Sequence, residues 1–125
     1  MIQVLVVDDD ITLRHLLVTQ LDLLGVKADS AAGGVEAVRR IYEYDYRLIL
    51  MDWKMPDMDG RDATAAIRSF EARVGKKPVP IVAITADDNP KKYVEMGMND
   101  AYPKPLLMDD IKKIVREWLP EHAEK

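Results

Sequence analysis

Five polar residues of the right types for phosphoryl chemistry stand where apolar runs end. Asp8 and Asp9 close the run at residues 2–7, Asp52 closes 48–51, Thr85 closes 79–84, and Lys104 follows the short segment 100–103. Three acids brought to one edge repel one another. A hard divalent cation relieves that repulsion, and oxygen donors with an octahedral preference point to Mg²⁺. Such a cation also neutralises an incoming phosphoryl group and orients it for in-line attack. A carboxylate can itself be the nucleophile and carry the group as an acyl phosphate. Thr85 offers a hydroxyl donor and Lys104 a positive charge for the phosphoryl oxygens. No glycine-rich loop follows the first apolar run, so a nucleotide P-loop and a dinucleotide fingerprint are both excluded.

The elements that must position these residues alternate along the chain. Residues 2–7 are apolar at nearly every position, as in a buried strand. Asp10 then caps a helix with Leu13, Leu16, Leu17, Leu21 and Leu24 on one face and Gly25 at its stop. A second strand covers 26–30, and Val35, Val38 and Ile41 mark a second helix. The third strand, 48–51, runs into a loop punctuated by Pro56, Asp57 and Gly60, before a helix marked by Ala63, Ala66, Ile67 and Phe70. After a basic turn at 75–78 and the strand ending at Thr85, Asn89 and Pro90 open a fourth helix that Gly97 closes after only about two turns. Residues 100–103 form a last short strand. Ile111, Ile114, Val115 and Trp118 give a fifth helix, which Pro120 ends. Five such units, with continuously apolar strands, predict an α/β fold with a parallel sheet covered on both faces. They are too few for an eight-stranded barrel, so an open doubly wound sheet is expected, with its ligand site at the carboxyl ends of the strands.

Composition narrows the function classes. The chain has 125 residues, 48% hydrophobic and 32% charged, which suits one domain; we assign 1–120 to it and 121–125 to a tail. A net charge of −4 with scattered lysines and arginines argues against nucleic acid or anionic membrane as a partner. The absence of cysteine removes disulfides, thiolate metal sites and thiol nucleophiles. No apolar run approaches the roughly 18 residues of a membrane span, and the first apolar run ends in three acids rather than a leader cleavage site, so a cytoplasmic protein is expected.

The phrases Val6-Val7-Asp8-Asp9-Asp10, Met51-Asp52-Trp53-Lys54-Met55-Pro56-Asp57-Met58-Asp59-Gly60, Ile84-Thr85-Ala86 and Lys104-Pro105 resemble the response regulator receiver domains of two-component signalling, in family order and over essentially the whole chain. The resemblance implies a flavodoxin-like (βα)5 sandwich with strand order 2-1-3-4-5. It implies that Asp52 accepts the phosphoryl group, that Asp8, Asp9, Asp52 and the backbone carbonyl of Lys54 bind Mg²⁺, that Thr85 is the switch hydroxyl, and that Lys104 contacts the phosphoryl group. A cis Lys104-Pro105 bond is implied as well, the one kind of peptide bond for which that form costs little. The implied partners are a histidine kinase or a histidine phosphotransfer protein, an unidentified output partner or fused domain, and a second copy of the chain on phosphorylation. The longer phrasing from Asp57 through Ala86 is similar to receivers fused to sensor histidine kinases, and a stand-alone receiver fits it equally. A receiver is a switch that assists its own phosphorylation and dephosphorylation, not a metabolic enzyme.

Alternatives and departures sharpen this reading. A haloacid-dehalogenase-type phosphatase needs a second acid two residues after its nucleophile, where this chain has Lys54. A receiver-like interaction domain that works without phosphorylation usually lacks an acid, the threonine or the lysine, and all are present here. The family places an aromatic three residues before the lysine, but Ala101 stands there and Tyr102 follows it. A one-residue shift on a strand reverses the face, so either Tyr102 serves through a local bulge or the aromatic switch is missing; the usual spacing from Gly97 to Lys104 favours the second. That departure and the short fourth helix fall on the face the family uses for output, so an altered output surface is expected. A Lys54–Asp87 ion pair across the pocket mouth is expected to shield the acyl phosphate. His15 is read as a surface residue, Met51, Met55 and Met58 as packing, and Trp53 as a rim residue.

Overall fold

The computed structural model describes residues 2–86 and 91–122. The strands are β1 (Val4–Val7), β2 (Ala28–Ala31), β3 (Leu48–Asp52), β4 (Ile81–Thr85) and β5 (Asp100–Pro103). Between and after them lie α1 (Ile11–Leu23), α2 (Gly34–Glu43), α3 (Gly60–Val74), α4 (Lys91–Val94) and α5 (Met108–Trp118), followed by a 3₁₀ turn at Pro120–His122. The strands pair in parallel in the order β2-β1-β3-β4-β5, as the family resemblance implies.

Alternation along each strand divides the core in two. Leu5, Val7, Ile49, Met51, Ile81 and Ala83 face a cluster that includes Ala37 and Ile41 of α2, Ala63 and Ile67 of α3, and Tyr93 of α4. Val4, Val6, Leu48, Leu50, Val82 and Ile84 face Leu17 and Leu21 of α1 and Ile111, Ile114 and Val115 of α5. Both faces are therefore covered, which is why the three inner strands β1, β3 and β4 are buried along their whole length, whereas the edge strands β2 and β5 carry polar residues. Register aligns the strand ends: Val7 pairs with Met51, Asp52 with Ile84, and Thr85 with Pro103. The polar residue that ends each run thus falls on one edge.

Two sequence expectations for core faces need correction. Leu16 and Val35 are 48% and 54% exposed. The apolar arc of α1 is wider than the strip the sheet covers, and Leu16 lies beside it, lining a shallow apolar cleft with Pro105 and Leu106. Val35 occupies the first turn of α2, where Asp57 rather than the core receives its N–H. Trp118 is half-buried against the α1–α5 cluster. Asp10 caps α1 as expected, accepting from Thr12 N and Leu13 N.

Two long-range polar ties hold the loops around the edge. The N-terminus of α2 has Gly33 at its cap, with no side chain to offer. The Asp57 carboxylate supplies the cap from the β3–α3 loop, accepting from Gly34 N and Val35 N at 3.2 Å each and from Met58 N at 2.8 Å. Desolvation by itself raises the Asp57 carboxyl, but these backbone donors outweigh it and hold the group below the ordinary carboxylate value. On the other side, Arg68 of α3 donates to Glu71 Oε1, Val79 O, Gly97 O and Asn99 Oδ1 at 2.8–3.0 Å. Glu71 accepts from Val79 N at 2.6 Å, and Asn99 Oδ1 also accepts from Ile81 N at 2.9 Å. This clamp joins α3, the start of β4 and the α4–β5 turn, where Gly97 takes a positive φ of 98°.

The close approach at α2 yields a test. A Cβ on Gly34 would lie 2.5 Å from the Met58 carbonyl oxygen, which is backbone and cannot swing away. Gly34→Ala is expected to destabilise the protein by about 1–3 kcal/mol, as overpacking does, read as a lower urea midpoint. An unchanged midpoint would mean that the β3–α3 loop yields at no cost.

Candidate functional site

Asp8, Asp52 and Thr85 lie at the carboxyl ends of β1, β3 and β4 and are only 1%, 3% and 4% exposed; Asp9 is open to solvent. Carboxylate oxygens of Asp8, Asp9 and Asp52 all come within 4.8 Å of one another. Lys104, just past β5, sets its Nζ 3.1 Å from Asp52 Oδ1 and 3.6 Å from Asp8 Oδ2. Backbone geometry fixes these positions: Lys104 N donates to Thr85 O at 2.7 Å, and Trp53 N donates to Ile84 O at 3.0 Å. Asp8 is oriented by Asp10 N on its Oδ1 at 2.9 Å and by Arg14 Nη1 on its carbonyl at 2.8 Å. The Lys104–Pro105 bond is cis, as the resemblance implies.

Asp9, Asp52, Thr85 and Lys104 line a cleft of about 680 Å³, walled also by Trp53, Lys54, Lys92 and Tyr93, with Asp8 beside it against Asp52 and Lys104. All five strand-end residues singled out from sequence meet in this one place, and Lys54 lies at its wall. Asp87, the expected partner of Lys54, lies outside the described residues, as do Asn89 and Pro90. His15 is exposed; Met51 and Met55 are buried in the core and Met58 packs against it.

Burial pushes the Asp52 carboxyl up to about 6; the Lys104 hydrogen bond pulls it back, and the Asp8 charge adds to the rise. Desolvation by itself lowers the Lys104 ammonium, yet its hydrogen bond to Asp52 and the charges of Asp52, Asp8 and Asp9 together hold it above the ordinary lysine value. One ammonium against three carboxylates leaves the cluster negative. Its donors are all hard oxygens converging on one point, which fits a small divalent cation.

The expectation of a missing aromatic is half correct. β5 runs in regular register with β4, without a bulge: Ala83 pairs with Ala101 and Ile84 with Tyr102. Ala101 is buried on the α2–α3–α4 face, whereas Tyr102 packs on the opposite face against the α1–α5 cluster. Tyr102 therefore does not serve the site. An aromatic nevertheless reaches Thr85, and it comes from α4: the Tyr93 hydroxyl lies 2.9 Å from Thr85 Oγ1. Its ring is 1% exposed and packs edge-on against Trp53 at 4.5 Å. Sequence reasoning missed Tyr93 because a helix with one short turn of described structure has no periodicity to reveal which side faces inward.

The architecture and the site together define a doubly wound α/β domain with an acidic, lysine-bridged cluster at the carboxyl edge of its sheet. Comparison with known proteins specifies it further. The family profile of the response regulator receiver domain matches residues 4–116, and the chain belongs to that family. It is similar to the sensor protein GacS of Pseudomonas syringae pv. syringae, at 36% identity over 119 residues, spanning 93% of this chain but only 13% of that protein. Among solved structures it resembles the receiver domain of the Saccharomyces cerevisiae response regulator Ssk1, crystallised with the histidine phosphotransfer protein Ypd1 (TM-score 0.89, 32% identity, 98% of this chain and 92% of that one). It also resembles the receiver domain of the Pseudomonas aeruginosa PAO1 sensor histidine kinase PA1611, which holds a magnesium ion in its active-site cleft (TM-score 0.80, 30% identity, 94% and 97% coverage).

The raised Asp52 carboxyl has a consequence for stability. The unfolded chain releases this proton near pH 4, the folded chain near pH 6, so the folded state holds more protons in between. The stability from this group is therefore present below about pH 4 and is lost as pH rises through about 6, a penalty of at most about 3 kcal/mol. Without divalent metal, Asp52→Asn is expected to gain stability over the wild type progressively from pH 4 to 7, as measured by denaturant unfolding. A difference independent of pH would contradict the raised carboxyl.

Proposed function

We propose that this domain is a phosphorylation-controlled switch that receives a phosphoryl group on Asp52 from a histidine kinase or a histidine phosphotransfer protein. The observation that carries this reading is the Asp52 carboxylate, buried at the end of the central strand with Lys104 Nζ 3.1 Å away and two further acids beside it. A carboxylate oxygen of Asp52 attacks phosphorus in line, the phosphorus–nitrogen bond to the donor histidine breaks, and that nitrogen keeps the electron pair and takes up a proton. Lys104 stabilises the charge on the transferred group, and Thr85 donates a hydrogen bond to one of its oxygens. Asp8, Asp9, Asp52 and the carbonyl of Lys54 would hold Mg²⁺, which supplies charge neutralisation of the phosphoryl oxygens when bound.

The group leaves by hydrolysis, so the domain acts as a switch rather than serving metabolism. Lys54 stands where an aspartyl-nucleophile phosphatase would need its acid. A cytoplasmic setting suits the donor. No helix among the described residues is long and apolar enough to cross a membrane. With a net charge of −4, the domain acts on proteins rather than nucleic acid. A second copy of the chain is a further candidate partner once Asp52 is phosphorylated.

The test is intact mass after incubation with Mg²⁺ and acetyl phosphate, with tryptophan emission followed in parallel. One labile phosphoryl group and an emission change from Trp53 are expected, both absent in Asp52→Asn. Lys104→Ala is expected to slow phosphorylation by about a hundredfold, the scale of losing one preorganised charge-stabilising group. No mass gain from acetyl phosphate or from a phosphorylated histidine phosphotransfer protein would reduce the domain to an interaction module.

A further inference from the structure

Tyr93 connects the cleft to α4 in a way the strand pattern does not foreshadow. Ala83 and Ala101 sit side by side on the sheet face beneath α4. Two methyl groups leave a depression there, and a close-packed interior must fill it. The Tyr93 ring is buried in the same cluster, and its hydroxyl ends 2.9 Å from Thr85 Oγ1. The far end of α4 is secured differently. The Tyr93 carbonyl accepts from Met96 N at 3.1 Å and Met98 N at 3.3 Å, while Arg68 Nε holds Gly97 O at 3.0 Å. Thus α4 is clamped to α3 and β4 at its end and reaches the site through the Tyr93 side chain.

We propose that Tyr93 is the positioning residue for Thr85 and that, through it, α4 rather than β5 registers whether the cleft is occupied. This rests on the reading that a phosphoryl group arrives at Asp52. The chemistry turns on proton count. A threonine hydroxyl has one proton to give. Once Thr85 gives it to a phosphoryl oxygen, Tyr93 must be the donor to Thr85 Oγ1. The chain Tyr93 O–H to Thr85 O–H to phosphoryl then runs in one direction, and each bond polarises the next. Filling the cleft thereby tightens the tie on α4, whose other end the Arg68 clamp holds in place.

Backbone amide shifts on saturating the protein with Mg²⁺ and beryllofluoride test this. In the wild type, amides of residues 91–98 are expected to move together with those around Asp52. In Tyr93→Phe, which keeps the ring and removes the hydroxyl, the shifts around Asp52 are expected to persist. Those of 91–98 are expected to fall at least about threefold, a loss of the size one hydrogen bond supports. Ala101→Phe, which fills the depression from β5 and displaces the Tyr93 ring, should give the same loss; Tyr102→Phe, on the opposite face, should not. A ring that merely packs would alter the spectrum of the free protein and leave the ligand-induced difference intact. Unreduced shifts in 91–98 of Tyr93→Phe would overturn the inference and leave the phosphoryl reading standing. A wild type with neither a phosphoryl mass gain nor any shift around Asp52 would overturn both.

Discussion

Everything at the working edge of this domain answers to one electrostatic constraint: three carboxylates lie within 4.8 Å of one another, and the Lys104 ammonium bridges two of them. In a soluble protein free to choose, such a cluster would be dispersed into water. Here Asp8 and Asp52 are withdrawn from it, and the resulting desolvation leaves Asp52 a weaker acid than usual. Charge repulsion of this kind is what a bound cation would relieve. The β1–β3–β4 register is what makes the constraint unavoidable, since it brings the ends of three buried strands into line.

Around that edge the molecule divides into fixed and responsive parts. Asp57 ties the β3–α3 loop to the start of α2, so the loop that carries Lys54 is anchored at a helix N-terminus. Arg68 and Glu71 lock α3 to the start of β4 and to the turn before β5. Against these rigid supports, α4 is short, and among its described side chains Tyr93 faces inward while Val94 is half exposed. Through Tyr93 it contacts the Thr85 hydroxyl directly.

The aromatic beside Thr85 comes from a helix and not from the strand position where the receiver pattern has one. The receiver pattern looks for it on β5, and this chain places alanine there. The volume is then taken by a tyrosine from the neighbouring helix, which reaches the same hydroxyl from above the sheet instead of along it.

The sequence by itself determined the strands, their order of appearance and the five residues of the edge. The inner strands β1, β3 and β4 are local apolar runs, and four of the site residues are the polar groups that end them, so no distant contact was needed to find those. Alternation along a strand favoured turning Tyr102 away, but only the unbroken β4–β5 register decided it. Tertiary structure alone decided what fills the space over Ala101, which loop caps α2, and which leucines of α1 remain exposed. Those outcomes depend on how wide a strip one helix covers and on which side chain, tens of residues away, lies nearest to an unfilled volume or an unpaired N–H. Local spacing carries no record of either.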